Sequence, residues 1–85
     1  MKYCIEFAKS AERQLGKLPT SIQIRLVKKI ESLGSDPRPQ RVEKLIGREH
    51  GYRIRVGDYR VLYRVEDDVL TVLVVAVGHR REVYR

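Results

Sequence analysis

The chain has a single cysteine, Cys4, and no tryptophan, so neither an internal disulfide nor a multi-cysteine metal site can be built. No apolar run approaches the roughly 20 residues that a spanning helix needs. The longest, residues 69–77, is interrupted by Thr71. The opening Met-Lys-Tyr-Cys-Ile-Glu-Phe has no long apolar region before its charges and does not read as a signal peptide. Repeats, low-complexity tracts and an interdomain linker are also missing. These absences lead us to expect one cytoplasmic domain over residues 1–85, with no membrane partner and no cysteine-built metal site. Acidic residues are scarce as well: 11 stand against 18 basic ones, a net charge of +7, and 12 of the 18 are arginine. Arginine suits forked contacts with phosphate oxygens, so a polyanion is the natural partner.

What is present is enough for one modest core, because a chain of 85 residues buries only about 60–65% of the surface its unfolded form exposes. Residues 2–7 alternate Tyr3, Ile5 and Phe7 with Lys2, Cys4 and Glu6, the pattern of a strand. Ala8, Ala11, Leu15 and Leu18 then recur at helical spacing, until Gly16 weakens the pattern and Pro19 ends it. A second stripe, Ile22, Leu26, Ile30 and Leu33, follows so closely that the two helices are expected to form an antiparallel hairpin over one sheet face. Arg25, Lys28 and Lys29 face outward from it. Turn formers fill residues 34–39, and residues 42–47 read as an extended connection.

The most informative stretch is 51–84. Gly57-Asp58 separates two runs of alternating apolar and basic residues, the mark of a hairpin with a two-residue primed turn. That turn sets Val56 opposite Tyr59, Arg55 opposite Arg60, Ile54 opposite Val61 and Tyr52 opposite Tyr63. One face then carries Tyr52, Ile54, Val56, Tyr59, Val61, Tyr63 and Val65, and the other Arg53, Arg55, Arg60 and Arg64. After a turn at residues 66–68, residues 70–77 are apolar on both faces, as an interior strand is. Carrying the register through Asp67-Asp68 pairs Tyr63 with Val72, Val61 with Val74 and Arg60 with Val75, and puts His79 on the arginine face. The open face is thus expected to hold the four arginines and His79 around an apolar floor of Leu62, Leu73, Val75 and Val77, an arrangement that suits a nucleic acid.

Taken in order, the strand, the helical hairpin, Leu45-Ile46-Gly47, the Tyr-Arg-Ile-Arg-Val-Gly-Asp-Tyr-Arg-Val-Leu-Tyr run and the closing Val-Gly-His-Arg-Arg-Glu-Val-Tyr-Arg resemble the RelE branch of the RelE/ParE toxin superfamily. The resemblance covers essentially the whole chain. It implies an α+β fold with an N-terminal strand, an antiparallel helical hairpin and a mainly antiparallel three-strand meander, the helices packed on one face of the sheet. It also implies the toxin of a type II toxin–antitoxin pair, a metal-independent endoribonuclease that cleaves mRNA in the ribosomal A site. Attack by the RNA 2′-hydroxyl would leave a 2′,3′-cyclic phosphate and a 5′-hydroxyl.

Carried over by the resemblance, the phosphate-stabilising arginine falls on Arg60, a second arginine on Arg80 and a C-terminal tyrosine on Tyr84. The basic pair of the first hairpin strand falls on Arg53 and Arg55, with Arg64 and Arg81 as further RNA-binding candidates. The best-known members carry lysines where this chain has Arg53 and Arg55. An arginine, with a pKa above about 12, is a poor proton acceptor, and His79 is the alternative. Arg25, Lys28 and Lys29 are candidates for gripping ribosomal RNA. The expected partners are mRNA, the ribosome and a RelB-like antitoxin with an acidic or amphipathic helical segment. Two rivals stand beside this reading: a ParE-type toxin directed at gyrase, and a non-catalytic module that binds RNA or antitoxin.

Overall fold

A computed structural model of the chain describes residues 2–45, 47 and 51–79. Its elements are strand β1 (Cys4–Phe7), helix α1 (Lys9–Gly16), helix α2 (Thr20–Ser32), the short strand β2 (Glu43–Lys44), and strands β3 (Gly51–Val56), β4 (Tyr59–Glu66) and β5 (Thr71–His79). They form one five-stranded sheet in the order β1-β5-β4-β3-β2. β1 runs parallel to β5 and every other pair is antiparallel. The meander and the interior position of β5 are as expected, and residues 43–44 of the extended connection form an edge strand.

The core lies between the helices and one face of this sheet. Leu26, Ile30 and Leu33 of the second apolar stripe are fully buried against Ile54, Val61, Tyr63, Val65, Val72 and Val74. Tyr3, just before β1, and Ile5 and Phe7 within it pack on the same cluster. Neither helix begins with a side-chain cap, since Ala8 and Pro19 occupy those positions. At eight residues, α1 is too short to persist alone and depends on tertiary contacts. The Ala8 N–H donates to the Val74 carbonyl at 2.8 Å, the Ser10 hydroxyl to the Val75 carbonyl at 3.3 Å, and the Val77 N–H to Gln14 Oε1 at 2.8 Å. α1 thereby satisfies the backbone of β5 where β1 has ended.

The register between β4 and β5 differs from the expected one in two steps. Residues 67–70 form a longer connection than a two-residue turn: Asp67–Val69 make a 3₁₀ turn and Leu70 takes a left-handed conformation at φ 48°. This pairs Glu66 with Thr71 and Tyr63 with Val74. A β-bulge then inserts Val75 between the Tyr63–Val74 and Leu62–Ala76 pairs, so Val61 faces Val77, Arg60 faces Gly78 and Tyr59 faces His79. A one-residue slip reverses the face of everything beyond it. Val77 is accordingly a core residue, 2% exposed, and not part of the open floor.

A polar clamp fastens the loop after α2 to the sheet. The Arg38 guanidinium meets both Asp67 oxygens, at 2.7 and 3.2 Å, and its Nε donates to the Tyr52 hydroxyl at 2.8 Å. The Tyr3 hydroxyl donates to the same carboxylate at 2.6 Å. That bond, with some desolvation, raises the Tyr3 pKa. Tyr52 stacks on Tyr63 with ring centroids 5.8 Å apart, and the buried Tyr63 hydroxyl donates to the Pro37 carbonyl at 2.8 Å. Gly34 packs closely beside this loop: a β carbon there would lie 3.1 Å from the Tyr3 carbonyl oxygen, a tight contact.

Tyr63→Phe removes one buried hydrogen bond and should cost about 1 kcal/mol in urea unfolding at pH 7. Burial, with the neighbouring Tyr52 adding to it, holds the Tyr63 hydroxyl well above the ordinary tyrosine pKa of 10.0. A folded-state pKa above the unfolded one gives stability that is complete below about pH 10 and lost as pH rises through the folded value. The alkaline decline should therefore be shallower in Tyr63→Phe; an equally steep decline in both proteins would remove Tyr63 as its source.

Candidate nucleic-acid interface

The turn at Gly57-Asp58 builds the site. Gly57 has φ 61°, while Asp58 is not among the positive-φ residues, the pattern of a type II′ turn, in which glycine takes the first central position. Its register matches the expectation: Val56 pairs with Tyr59, Arg55 with Arg60, Ile54 with Val61 and Tyr52 with Tyr63. Directly opposed residues share a face. Arg53, Arg55, Arg60 and Arg64 therefore lie together on the side of the sheet away from the helices.

Carboxylates occupy the two ends of this row. Arg53 pairs with Glu43 across the β2–β3 ladder, and Arg64 meets Glu66 on its own strand at 3.1 Å. Arg55, between them and exposed, makes no ion pair among the described residues. Arg60 is half-buried. The apolar floor is real but altered: Leu62, 7% exposed, lies outside the helix-side core cluster, paired with Ala76, while Leu73 pairs with Arg64.

His79 is not with the arginines. It sits opposite Tyr59 on the helix side, ring edge to ring face with centroids 5.7 Å apart. The Val75 bulge accounts for the difference, since without it His79 would share the face of Arg60. Arg80, Arg81 and Tyr84 lie outside the described residues. The trio on α2 also divides. Lys28 is exposed, Lys29 is half-buried, and Arg25 folds back so that its guanidinium lies over Gly57, where an added β carbon would stand 3.3 Å from it. Among the described residues, no group of three or more His, Cys, Asp or Glu is placed to hold a metal ion.

Two arginines escaped the sequence analysis. Arg38 forms the clamp, and Arg41 stands at φ 71°, a left-handed conformation rare for a residue with a side chain. The only signal was their setting in Pro37-Arg38-Pro39-Gln40-Arg41, basic residues within a turn-forming stretch.

Comparison with known proteins fits this geometry. The profile of the family described as ParE toxin of type II toxin-antitoxin system, parDE, matches residues 5–84. The chain belongs to the RelE/ParE superfamily of type II toxins. It is 39% identical over 88 positions to Toxin RelG of Mycobacterium tuberculosis, covering 100% of this chain and 99% of that one. It is 33% identical to the mRNA interferase toxin RelE of Escherichia coli, covering 99% and 92%. Its fold matches a chain in the crystal structure of the toxin–antitoxin complex RelBE2 of M. tuberculosis with a TM-score of 0.82 at 34% identity, over 94% of this chain and 100% of that one. Among the described residues of this RelE-family toxin, no helix is long and apolar enough to cross a membrane.

The Arg55–Arg60 pair opposes like charges directly, which costs a sheet roughly 0.2–1 kcal/mol. Arg55→Thr should therefore raise the melting temperature at low salt, with a smaller gain at high salt. An unchanged or lower melting temperature would mean that the pair is not under electrostatic strain.

Proposed function

We propose that this toxin is a ribosome-dependent endoribonuclease that cleaves mRNA in the A site. The observation that carries the reading is the direct opposition of Arg55 and Arg60 on an open sheet face, an arrangement that an added phosphate charge would relieve. A relative 33% identical over 99% of the chain is named an mRNA interferase, which supports the same chemistry.

In this reading the 2′-oxygen attacks the adjacent phosphorus in line, its proton leaves to a base, and the 5′-oxygen departs with a proton. The products are a 2′,3′-cyclic phosphate and a 5′-hydroxyl, and no metal takes part. Arg60 meets the non-bridging oxygens as negative charge builds on them, and Arg55 holds the approaching strand. Arg53 and Arg64 join once RNA phosphate competes with Glu43 and Glu66. Arg80 supports the same phosphate or the leaving oxygen, Tyr84 stacks on a base or takes part in proton transfer, and Arg81 adds backbone contact. Lys28, Lys29 and Arg25 dock on ribosomal RNA, and the ribosome completes the geometry by holding the mRNA. The toxin's partner when inactive is a RelB-like antitoxin, as in the RelBE2 complex that its fold matches, and an acidic or amphipathic segment suits its +7 charge.

Adding the purified toxin to translating ribosomes and mapping the new mRNA 5′ ends tests this directly. Arg60→Ala should lower single-turnover cleavage by about 100- to 1,000-fold with the fold intact. Tyr84→Phe separates the two roles of that residue, since stacking survives the change and proton transfer does not. His79, on the far face by way of the bulge, should be replaceable by glutamine without altering the pH dependence of cleavage. Growth arrest with no new 5′ ends would point instead to a gyrase-directed toxin, the reading that the ParE description of the family profile favours. Ribosome binding with neither effect would leave a non-catalytic module.

A further inference from the structure

The arginine row is continuous with a second basic feature around the edge of the sheet. β2 pairs only with Arg53 and Tyr52, so the edge of β3 beyond Arg53 has no neighbouring strand among the described residues. In its place is a cleft of about 590 Å³ lined by Lys29, Gln40, Arg41, Arg55 and Gly57. Three separate elements each send one cation to it: Lys29 from α2, Arg41 from the loop and Arg55 from β3. None of the three makes an ion pair among the described residues. The one carboxylate on the wall, Glu43, is engaged by Arg53. Arg55, two residues along from Arg53, turns its main-chain N–H toward the same edge, which adds a fixed donor.

Arg41 supplies an independent sign. Its φ of 71° is the conformation in which glycine or asparagine would be at ease, and arginine there is strained. The strain has no return in folding contacts, because the side chain is exposed and makes no ion pair among the described residues. It does set Arg41 on the wall of a cleft that two other basic residues line.

We propose that this cleft is a second phosphate subsite, which holds a backbone phosphate of the RNA strand whose reacting phosphate lies at Arg60. Arg55 belongs to both places: it opposes Arg60 on the open face and lines the cleft at the edge. A strand passing from one to the other would deliver successive phosphates to the row and then to Lys29 and Arg41. The choice of RNA rests on the function proposed above; the phosphate site does not.

Inorganic phosphate is the first probe, followed by amide NMR on the full chain at low ionic strength. The expected result is saturable shifts at Gln40, Arg41, Arg55 and Gly57. Lys29→Gln and Arg41→Gly should each weaken them by about tenfold, while Arg41→Gly melts no lower than the parent because glycine relaxes the left-handed backbone. With a short single-stranded RNA, each variant should reduce the slope of log affinity against log salt by about 0.7, the loss of one phosphate contact. Shifts confined to the neighbourhood of Arg60, or an Arg41→Gly chain that binds phosphate and RNA as the parent does, would overturn the subsite. So would a glutamate-rich peptide that fills the cleft when phosphate does not, since the site would then serve a carboxylate-bearing partner. Phosphate binding in the cleft of a toxin that cuts no mRNA would uphold the subsite and sink the function proposed above. Cleavage by a toxin with a silent cleft would do the reverse.

Discussion

Everything on the open face follows from one forced encounter, that of Arg55 with Arg60 across a two-residue turn. Because Gly57 and Asp58 alone connect β3 to β4, the pair cannot move apart without breaking the register that buries Ile54, Val61 and Tyr63. The fold answers the repulsion at both margins of the row. Glu43 is set on Arg53 and Glu66 on Arg64, whereas Arg55 is left with no carboxylate among the described residues. Arg25 brings yet another positive charge over Gly57. A surface selected for stability alone would alternate signs here. Under the function proposed above, the charge concentrated at the hairpin is what an arriving phosphate would meet.

How much of this was legible in the sequence depends on how local the signal is. The β3–β4 hairpin reads directly, since a glycine-bearing turn and two alternating runs lie within 14 consecutive residues, 51–64. The next connection does not. Leu70 adopts the left-handed backbone with no glycine to announce it, so the turn is longer than Asp67-Asp68 suggests. The bulge is hidden more deeply still. It falls in Val72-Leu73-Val74-Val75-Ala76-Val77, a run apolar on both faces, where period-two alternation carries no information about register. One extra valine therefore moved Val77 into the core and His79 to the side of Tyr59 without leaving a trace in the pattern.

The bulge has a structural reason that only the assembled fold supplies. β1 ends at Phe7, and beyond Val74 the edge of β5 would face no strand. Shifting the chain there presents the Val77 N–H to Gln14 and the Val75 carbonyl to Ser10, so that α1 takes over the hydrogen bonding that β1 gives up. Partners more than 60 positions away in the chain decide this geometry. The arginines and the histidine are thereby sorted onto opposite faces by a helix that carries none of them.

The same dependence on distant anchors explains how Arg41 can remain strained. A left-handed arginine relaxes unless its neighbours are fixed, and here both sides are. Upstream, Arg38 is forked onto Asp67 and bonded to Tyr52. Downstream, Val42 packs against the core and donates its N–H to the Pro39 carbonyl at 3.2 Å, and Glu43 enters the ladder with Arg53. The Arg38–Asp67 pair is half open to water and would contribute little as an isolated ion pair. Its value lies in geometry: two forked bonds and a tyrosine fix one end of a short loop whose other end is a strand. Between those points the backbone has too little slack to unwind, and Arg41 is held on the wall of the cleft that Arg55 also lines. Clamp and cleft are therefore one device, with the first holding the strain that the second uses.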